Sequence, residues 1–517
     1  MNNHQDSHQA ELKKNPLYAT SFAFSPLRVV RNAVNKLSRE SWEILITGIS
    51  AFIFVQFYKS SPLVITIVVV GVVIIVPIFI KKTEYAAIFL AVVLPFQDFH
   101  IVSIIHFKRL IIWSISAYLL MRHLLQPQVV FIHSLARFTK ILIVFITALI
   151  VSLIKAASEL HSSQFLTVSF LKSAALSEVL VIIEGSLIVY LVYYSIRSWQ
   201  QLRKLFVMAI LGSAVISCLG IIQYYHEGPP DVLSFLYAES YQFYGRAVSV
   251  FLSPNYLGGF LAPMIIIAFV FLIWGPITKN VKLYLILPAL LLNLWAITLT
   301  FSRGAMLQVF FGIVVVEYLY ARHISAKTLS WKVVFMALFA IGIILAGIGS
   351  YDIYMRSRLS GYSEASYRRA FYNIHQTNDF YRKRAAVRAL QTFAKHPIFG
   401  TGYGTFQAKG LAGLETFGMA VHNQYLKILA EMGLFGFIPF LILLGIVIKT
   451  CFDIWKKLQE RQEVRVFPFL CLSGMGAIAF GYLVADFLVT LNVSGYLWIF
   501  SGSIFTVQRL CQENNTL

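Results

Sequence analysis

Long apolar runs separated by short polar stretches organise this chain. Runs at 43–58, 62–80, 84–97, 109–122, 140–156, 174–196, 204–223, 256–275, 283–301, 304–321, 332–350, 424–448, 467–487 and 493–508 predict membrane-spanning helices. Most approach the roughly 20 residues that a helix needs to cross about 30 Å of hydrocarbon; those at 84–97 and 109–122 are short. Strict apolar/polar alternation of the barrel kind is absent, so helices must satisfy the backbone inside lipid. The fold expected is therefore an all-α polytopic membrane protein with 12–14 transmembrane helices, twelve if a weak pair merges. Two hydrophilic stretches interrupt the pattern, Glu227 to Asn255 and the longer Tyr351 to His422. Loops of the second kind are seldom structureless when they join packed spans. Within it, 379–395 reads as an amphipathic helix with Phe380, Val387, Leu390 and Ala394 on one face, Arg384, Arg388 and Lys395 towards another, and Pro397 as its stop. The organisation expected is a basic segment 1–42, eleven spans in 43–350, a large loop 351–422, three spans in 423–508 and a tail 509–517.

Composition agrees: 58% hydrophobic and 13% charged residues with a mean hydropathy of +0.73 exclude a water-soluble core and shell. The net charge of +20, from 43 Lys+Arg against 23 Asp+Glu, raises nucleic acid as a partner, yet no DNA- or RNA-binding signature is present. The basic residues instead flank spans, as at Lys81 and Lys82, Arg137 and Lys140, Arg203 and Lys204, Lys279 and Lys282, and Lys456 and Lys457. That distribution places both termini in the cytoplasm. The long outer loop is also basic, which the orientation rule tolerates in long loops. Met1 to Glu40 has no apolar core of the signal-peptide kind. Leu27, Val30, Val34 and Leu37 face away from Arg28, Arg31 and Lys36, the pattern of an interfacial helix or of a frayed basic tail. Cys218, Cys451, Cys471 and Cys511 lack metal-ligand spacing, and neither a disulfide nor a thiolate metal site is expected.

Candidate chemistry gathers at one set of loops. In His396-Pro-Ile-Phe-Gly-Thr-Gly-Tyr-Gly-Thr-Phe406 the glycines at 400, 402 and 404 permit close backbone approach to a ligand and can turn N–H groups towards an anion; the plainer reading is a structural turn. His422, where the loop re-enters the apolar region, can accept a proton near neutral pH or simply begin a helix. Arg246, ahead of Val250-Phe-Leu-Ser-Pro-Asn-Tyr-Leu-Gly258, and Arg303, in Ser302-Arg-Gly304, stand at the outer end of spans, where a guanidinium suits phosphate or a salt bridge. Glu184 and Asp486 are acids in apolar surroundings, for which pairing with a neighbouring helix is the default. Asn255 and Asn423 read first as helix caps, with sugar contact as the second reading, and Tyr403 is one of several aromatics able to stack on sugar.

The three blocks, Arg246 with Ser-Pro-Asn-Tyr-Leu-Gly, then Ser-Arg-Gly, then His-Pro-Ile-Phe-Gly-Thr-Gly-Tyr-Gly-Thr-Phe with His422-Asn-Gln-Tyr-Leu and Glu-Met-Gly-Leu434, resemble in content and order the O-antigen ligase and Wzy-type polymerase superfamily. The resemblance covers Tyr241 to Phe440. It implies a metal-independent, inverting membrane glycosyltransferase without a cofactor, acting at the periplasmic face of a bacterial inner membrane. The donor implied is a glycan on undecaprenyl pyrophosphate and the acceptor a glycan or lipid-glycan hydroxyl, in cell-surface polysaccharide biosynthesis and with an assembly complex left open. Carried over, Arg246 and Arg303 would hold the pyrophosphate and His422 would lie near the anomeric carbon as base or phosphate contact. Arg384, Arg388, Gly400, Gly402, Asn255 and Tyr403 make up the expected substrate-binding set. The rival class is a transporter or lipid-linked oligosaccharide flippase, against which stand the lack of repeated halves and the gathering of polar material on one face. A noncatalytic assembly partner is the third reading.

Overall fold

The computed structural model describes residues 82–96, 100–102, 105–125, 132–161, 176–226, 246–321, 364–406, 421–458 and 462–513, with single positions at 79, 342 and 349. The run at 43–58, most of 62–80 and of 332–350, and the amino-terminal amphipathic segment lie outside the described residues. The chain divides into two compact units. One comprises Met1–Val70 and Leu120–Gln128, of which 120–125 are described; the other, Gly71–Leu119 with Val129–Leu517, holds the remaining elements.

The helices are α1 (Thr83–Val93), α2 (Phe107–Leu125), α3 (His133–His161), α4 (Leu176–Ser195), α5 (Trp199–Tyr225), α6 (Pro254–Trp274), α7 (Lys279–Leu299), α8 (Arg303–Ala321), α9 (Glu364–Lys395), α10 (Gln424–Lys457), α11 (Gln462–Val484) and α12 (Leu491–Glu513). Between α1 and α2 runs an unforeseen antiparallel hairpin, β1 (His100–Val102) with β2 (Ile105–His106). Among the described residues α3, α4, α5, α6, α7, α10 and α11 are long and apolar enough to cross a membrane. The protein is an all-α polytopic membrane protein in class, and α1, apolar but only 11 residues long, falls short of a full span.

Local sequence sets the helix starts. Ser198 accepts from the Gln201 N–H and Ser253 precedes Pro254 at the first position of α6, so each caps N–H groups that the helix itself leaves unpaired. Small residues then bring helices together: Gly185 lies against Trp498 and Gly502 against the Val189 backbone, letting α4 and α12 pack along their length. Two buried cations explain the weakness of the 109–122 run. Lys108 donates to the carbonyls of Leu94 and Phe96 at 3.0 and 2.5 Å, closing the carboxyl end of α1, and to Asn492 Oδ1 at 2.9 Å. Arg109 meets Glu184 at 2.9 Å with both side chains almost fully buried, giving that acid its neighbouring-helix partner.

Candidate functional site

The first two sequence blocks meet at the joint between α7 and α8. Gln223, near the end of α5, takes the N–H groups of Val248 and Ser249 on one amide oxygen at 2.9 and 2.7 Å, and the Ser249 hydroxyl donates to the Ile216 carbonyl. This fastens 246–252 beside the end of α7, where the Ala247 N–H reaches the Leu299 carbonyl at 2.9 Å and Arg246 Nε the Thr300 carbonyl at 2.7 Å. Ser302 starts α8, its oxygen accepting from the Ala305 N–H while its hydroxyl donates to Asn255 Oδ1 at 3.0 Å. A Cβ on Gly258 would stand 2.5 Å from that of Ala305, so Asn-Tyr-Leu-Gly requires glycine for α6 to lie this close to α8. Arg246 thus grips a carbonyl three residues before Arg303, whose own side chain is exposed at the first position of α8. Asn255 clamps Ser302, and the cap of α6 is Ser253.

His422 lies at the start of α10. Asn423 caps that helix, accepting from the Leu426 N–H at 3.0 Å, and ties it to α11 by donating to the Leu483 carbonyl at 3.1 Å. Gln424 accepts the Leu488 N–H in the turn that follows α11. Asp486, buried at the head of this turn, sits within electrostatic reach of both His422 and Tyr256, whose ring meets Phe487 at 5.8 Å. The His422 imidazole is held below its ordinary pKa, first by desolvation; the Asp486 carboxylate opposes that shift and Arg382 of α9 reinforces it. Hydrogen bonds therefore run from Arg246 through Thr300 and Ser302 to Asn255, and beyond its neighbour Tyr256 the link to Asp486 and His422 is electrostatic. Among the described residues the only non-glycine positions with positive φ are Ser249 (56°), Phe301 (47°) and His422 (51°), the first and last within their blocks and Phe301 immediately before Ser302. Backbone strain of this kind persists where surrounding structure holds it and concentrates at functional sites.

The glycine-rich tract does something other than present a bare anion nest. α10 is broken at Gly433, with φ 60° and ψ −160°, and the tract fills the break. Thr401 N–H donates to the Ala430 carbonyl at 3.1 Å and Gly402 N–H to that of Glu431 at 2.9 Å. From beyond the break, the Leu434 and Phe435 N–H groups donate to the carbonyls of Pro397 and Ile398 at 2.9 and 3.0 Å. The Tyr403 N–H goes to Ser152 of α3, and Lys155 Nζ to the Gly400 carbonyl. Irregular backbone of this sort is stable only where protein supplies the missing partners. The Tyr403 ring is buried, with Lys427 Nζ 5.5 Å from its centroid.

Sequence reasoning missed a cluster beneath this tract. Lys427 and Glu178, from α10 and α4, pair at 3.0 Å with side chains 5% and 20% exposed. One turn on, buried Glu431 accepts the Phe406 N–H at 3.2 Å, and its second carboxylate oxygen has no hydrogen-bond partner among the described residues. The available signal was two charges four residues apart in an otherwise apolar helix. In α9, Arg384 is exposed and Arg388 half-buried. The apolar face read from the sequence is not the one that packs on protein: Phe380, Val387 and Leu390 are 59%, 46% and 48% exposed, while Ala385 and Ala389 are buried. Ala389 joins Phe406, Val421 and Ala430, because only a methyl-sized side chain lets α9 approach α10 this closely. The helix is also longer than foreseen, running from Glu364 to Lys395.

A family model described as O-antigen ligase matches residues 288–441, from α7 into α10. The matched region contains Arg303, Arg384, Arg388, the glycine tract and His422, whereas Arg246 and Asn255 precede it. No curated protein matches the chain. The family match supports the O-antigen ligase/Wzy superfamily for this chain and, with it, a glycan-transferring ligase or polymerase role in cell-surface polysaccharide biosynthesis. A lipid-linked glycan donor and a glycan acceptor are the general partners that role carries.

Proposed function

We propose, for a chain carrying this O-antigen ligase region, transfer of a glycan from undecaprenyl pyrophosphate to an acceptor hydroxyl at the periplasmic face of the inner membrane, with both termini cytoplasmic. The observation that carries the proposal is the joint at which Arg246 reaches Thr300, three residues before Arg303, and which Asn255 and Tyr256 connect towards Asp486 and His422. In the reaction the acceptor oxygen bonds to the anomeric carbon while the bond from that carbon to the pyrophosphate oxygen breaks. The bonding pair leaves with undecaprenyl pyrophosphate, so negative charge grows where the two guanidinium groups stand and fixed cations stabilise it most. His422, held neutral by its lowered pKa, takes the hydroxyl proton. One displacement from the face opposite the leaving group inverts the anomeric centre, and no step calls on a metal.

The break in α10 is the feature held in common with transporters, whose discontinuous helices bind substrate at the unpaired ends. Here residues 397–402 occupy those backbone groups, which favours transfer over transport. The test uses the full chain in proteoliposomes with a defined undecaprenyl-pyrophosphate glycan and acceptor. Arg303→Ala, Arg246→Ala and His422→Ala are each expected to retain a monodisperse, membrane-inserted protein and to lose transfer, with donor accumulating. Full transfer in all three removes this mechanism, and movement of donor between leaflets without transfer replaces it with the flippase.

A further inference from the structure

We infer that α9 is an interfacial helix, seated along its Phe380, Val387 and Leu390 stripe in the boundary between headgroups and acyl chains of the leaflet into which α10 opens. Ala385 and Ala389, two residues either side of Val387, face the protein; on a helix of 3.6 residues per turn that puts Val387 on the opposite side, away from α10. The exposed stripe is therefore not a core face left slightly open. It is a second apolar face, and apolar side chains exposed in a row need a partner.

The depth of the neighbouring helix identifies that partner as lipid. α10 has 34 residues, which at about 1.5 Å each gives about 51 Å, against a hydrocarbon thickness of about 30 Å. The far end carries Lys449, Lys456 and Lys457, and the near end carries Lys427 and Glu431, so the fully apolar stretch begins at Leu434, just past the break. The break at Gly433 consequently lies near the membrane surface. Residues 397–398 are hydrogen-bonded to it, Phe399 packs its ring on Phe435 at 5.3 Å, and Ile398 and Phe399 are 60% and 46% exposed. α9 ends three residues before Ile398, so its exposed stripe continues directly into a surface that a span presents to lipid. Lys383 and Arg384 are exposed beside the stripe, long enough to bury their stems and keep their charges among anionic phosphates. Membrane and helix are thus matched in both apolarity and charge.

The experiment reads depth and not glycan transfer, so its failure is distinct from failure of the proposed reaction. Val387→Cys, Leu390→Cys and, as a reference about 80° round the helix from Val387 and about 140° from Leu390, Lys395→Cys are spin-labelled in the full chain, on a Cys218→Ser background because the other cysteines are buried. The protein is held in nanodiscs of phosphatidylethanolamine with a minor share of phosphatidylglycerol. Positions 387 and 390 are expected to collide more often with dissolved oxygen than with a water-soluble nickel chelate, and position 395 the reverse. Phe380→Cys supplies a third stripe position if either of the first two lowers the thermal midpoint. Nickel access at the stripe equal to that at 395 overturns the inference, leaving the stripe in water. Shielding from both reagents overturns it equally, since protein, such as a second copy of the chain, then covers the stripe.

Discussion

Gly400→Ala separates a glycine needed for packing from one needed to admit a ligand. Gly400 has φ +62°, a conformation costing an L-residue about 1–2 kcal/mol. Its added Cβ would stand 2.3 Å from the Glu431 carbonyl carbon, 2.4 Å from its oxygen and 2.5 Å from the Met432 nitrogen. These are backbone atoms of α10 at its break, held by the Thr401 and Gly402 bonds, and cannot rotate aside. Overpacking against such a wall costs typically about 1–3 kcal/mol, so the total loss is roughly 2–5 kcal/mol. Gly445→Ala, in the same helix with nothing among the described residues within 4 Å of the added carbon, is the internal control, neutral or favourable by up to about 1 kcal/mol. Heating detergent-solubilised protein and following the surviving monodisperse peak should show a midpoint several degrees lower for Gly400→Ala and unchanged or higher for Gly445→Ala. A Gly400→Ala protein as stable as its parent, yet unable to bind donor, would refute the packing account and restore the anion nest.

Breaking the buried pair by Glu178→Ala or Lys427→Met alone is expected to cost about 3–5 kcal/mol, and the double variant much less than the sum, because neither then buries a lone charge; additive losses in a thermal double-mutant cycle count against the pair. Gln223→Leu strips two buried N–H groups of their acceptor and should cost about 1–3 kcal/mol for each, lowering thermal stability and transfer together. With the His422 pKa lowered, the imidazole is neutral at pH 7 and loses its role as acceptor only in acid, so kcat/KM should fall as pH drops through a value below about 6.5. A fall centred above that value, or one retained in His422→Gln, assigns the titration to another group.

Much of this architecture was legible because spans obey a strong rule: lipid demands length and apolarity, and α3 to α7, α10 and α11 stand where apolar runs predict them. Asn423 as a cap and the end of α9 before Pro397 were legible for local backbone reasons. The packed face of α9 was not, since periodicity finds an apolar stripe without saying whether protein or lipid will cover it. Nor was the use of the glycine tract, because its partners are backbone groups 30 residues on, at a break that only Gly433 hints at. The Lys427–Glu178 pair escaped for a related reason: partners 249 residues apart become visible only when α4 and α10 are brought together.

The closure of α10 by an earlier stretch of chain also bears on how such sequences can diverge. Residues 397–402 and 430–435 are stitched in fixed register, so removing or adding one residue within either tract would offset every stitch at once. Insertions and deletions among relatives should therefore be absent from 397–402 and 430–435, and the seam between these tracts should keep its length while sequence outside it changes.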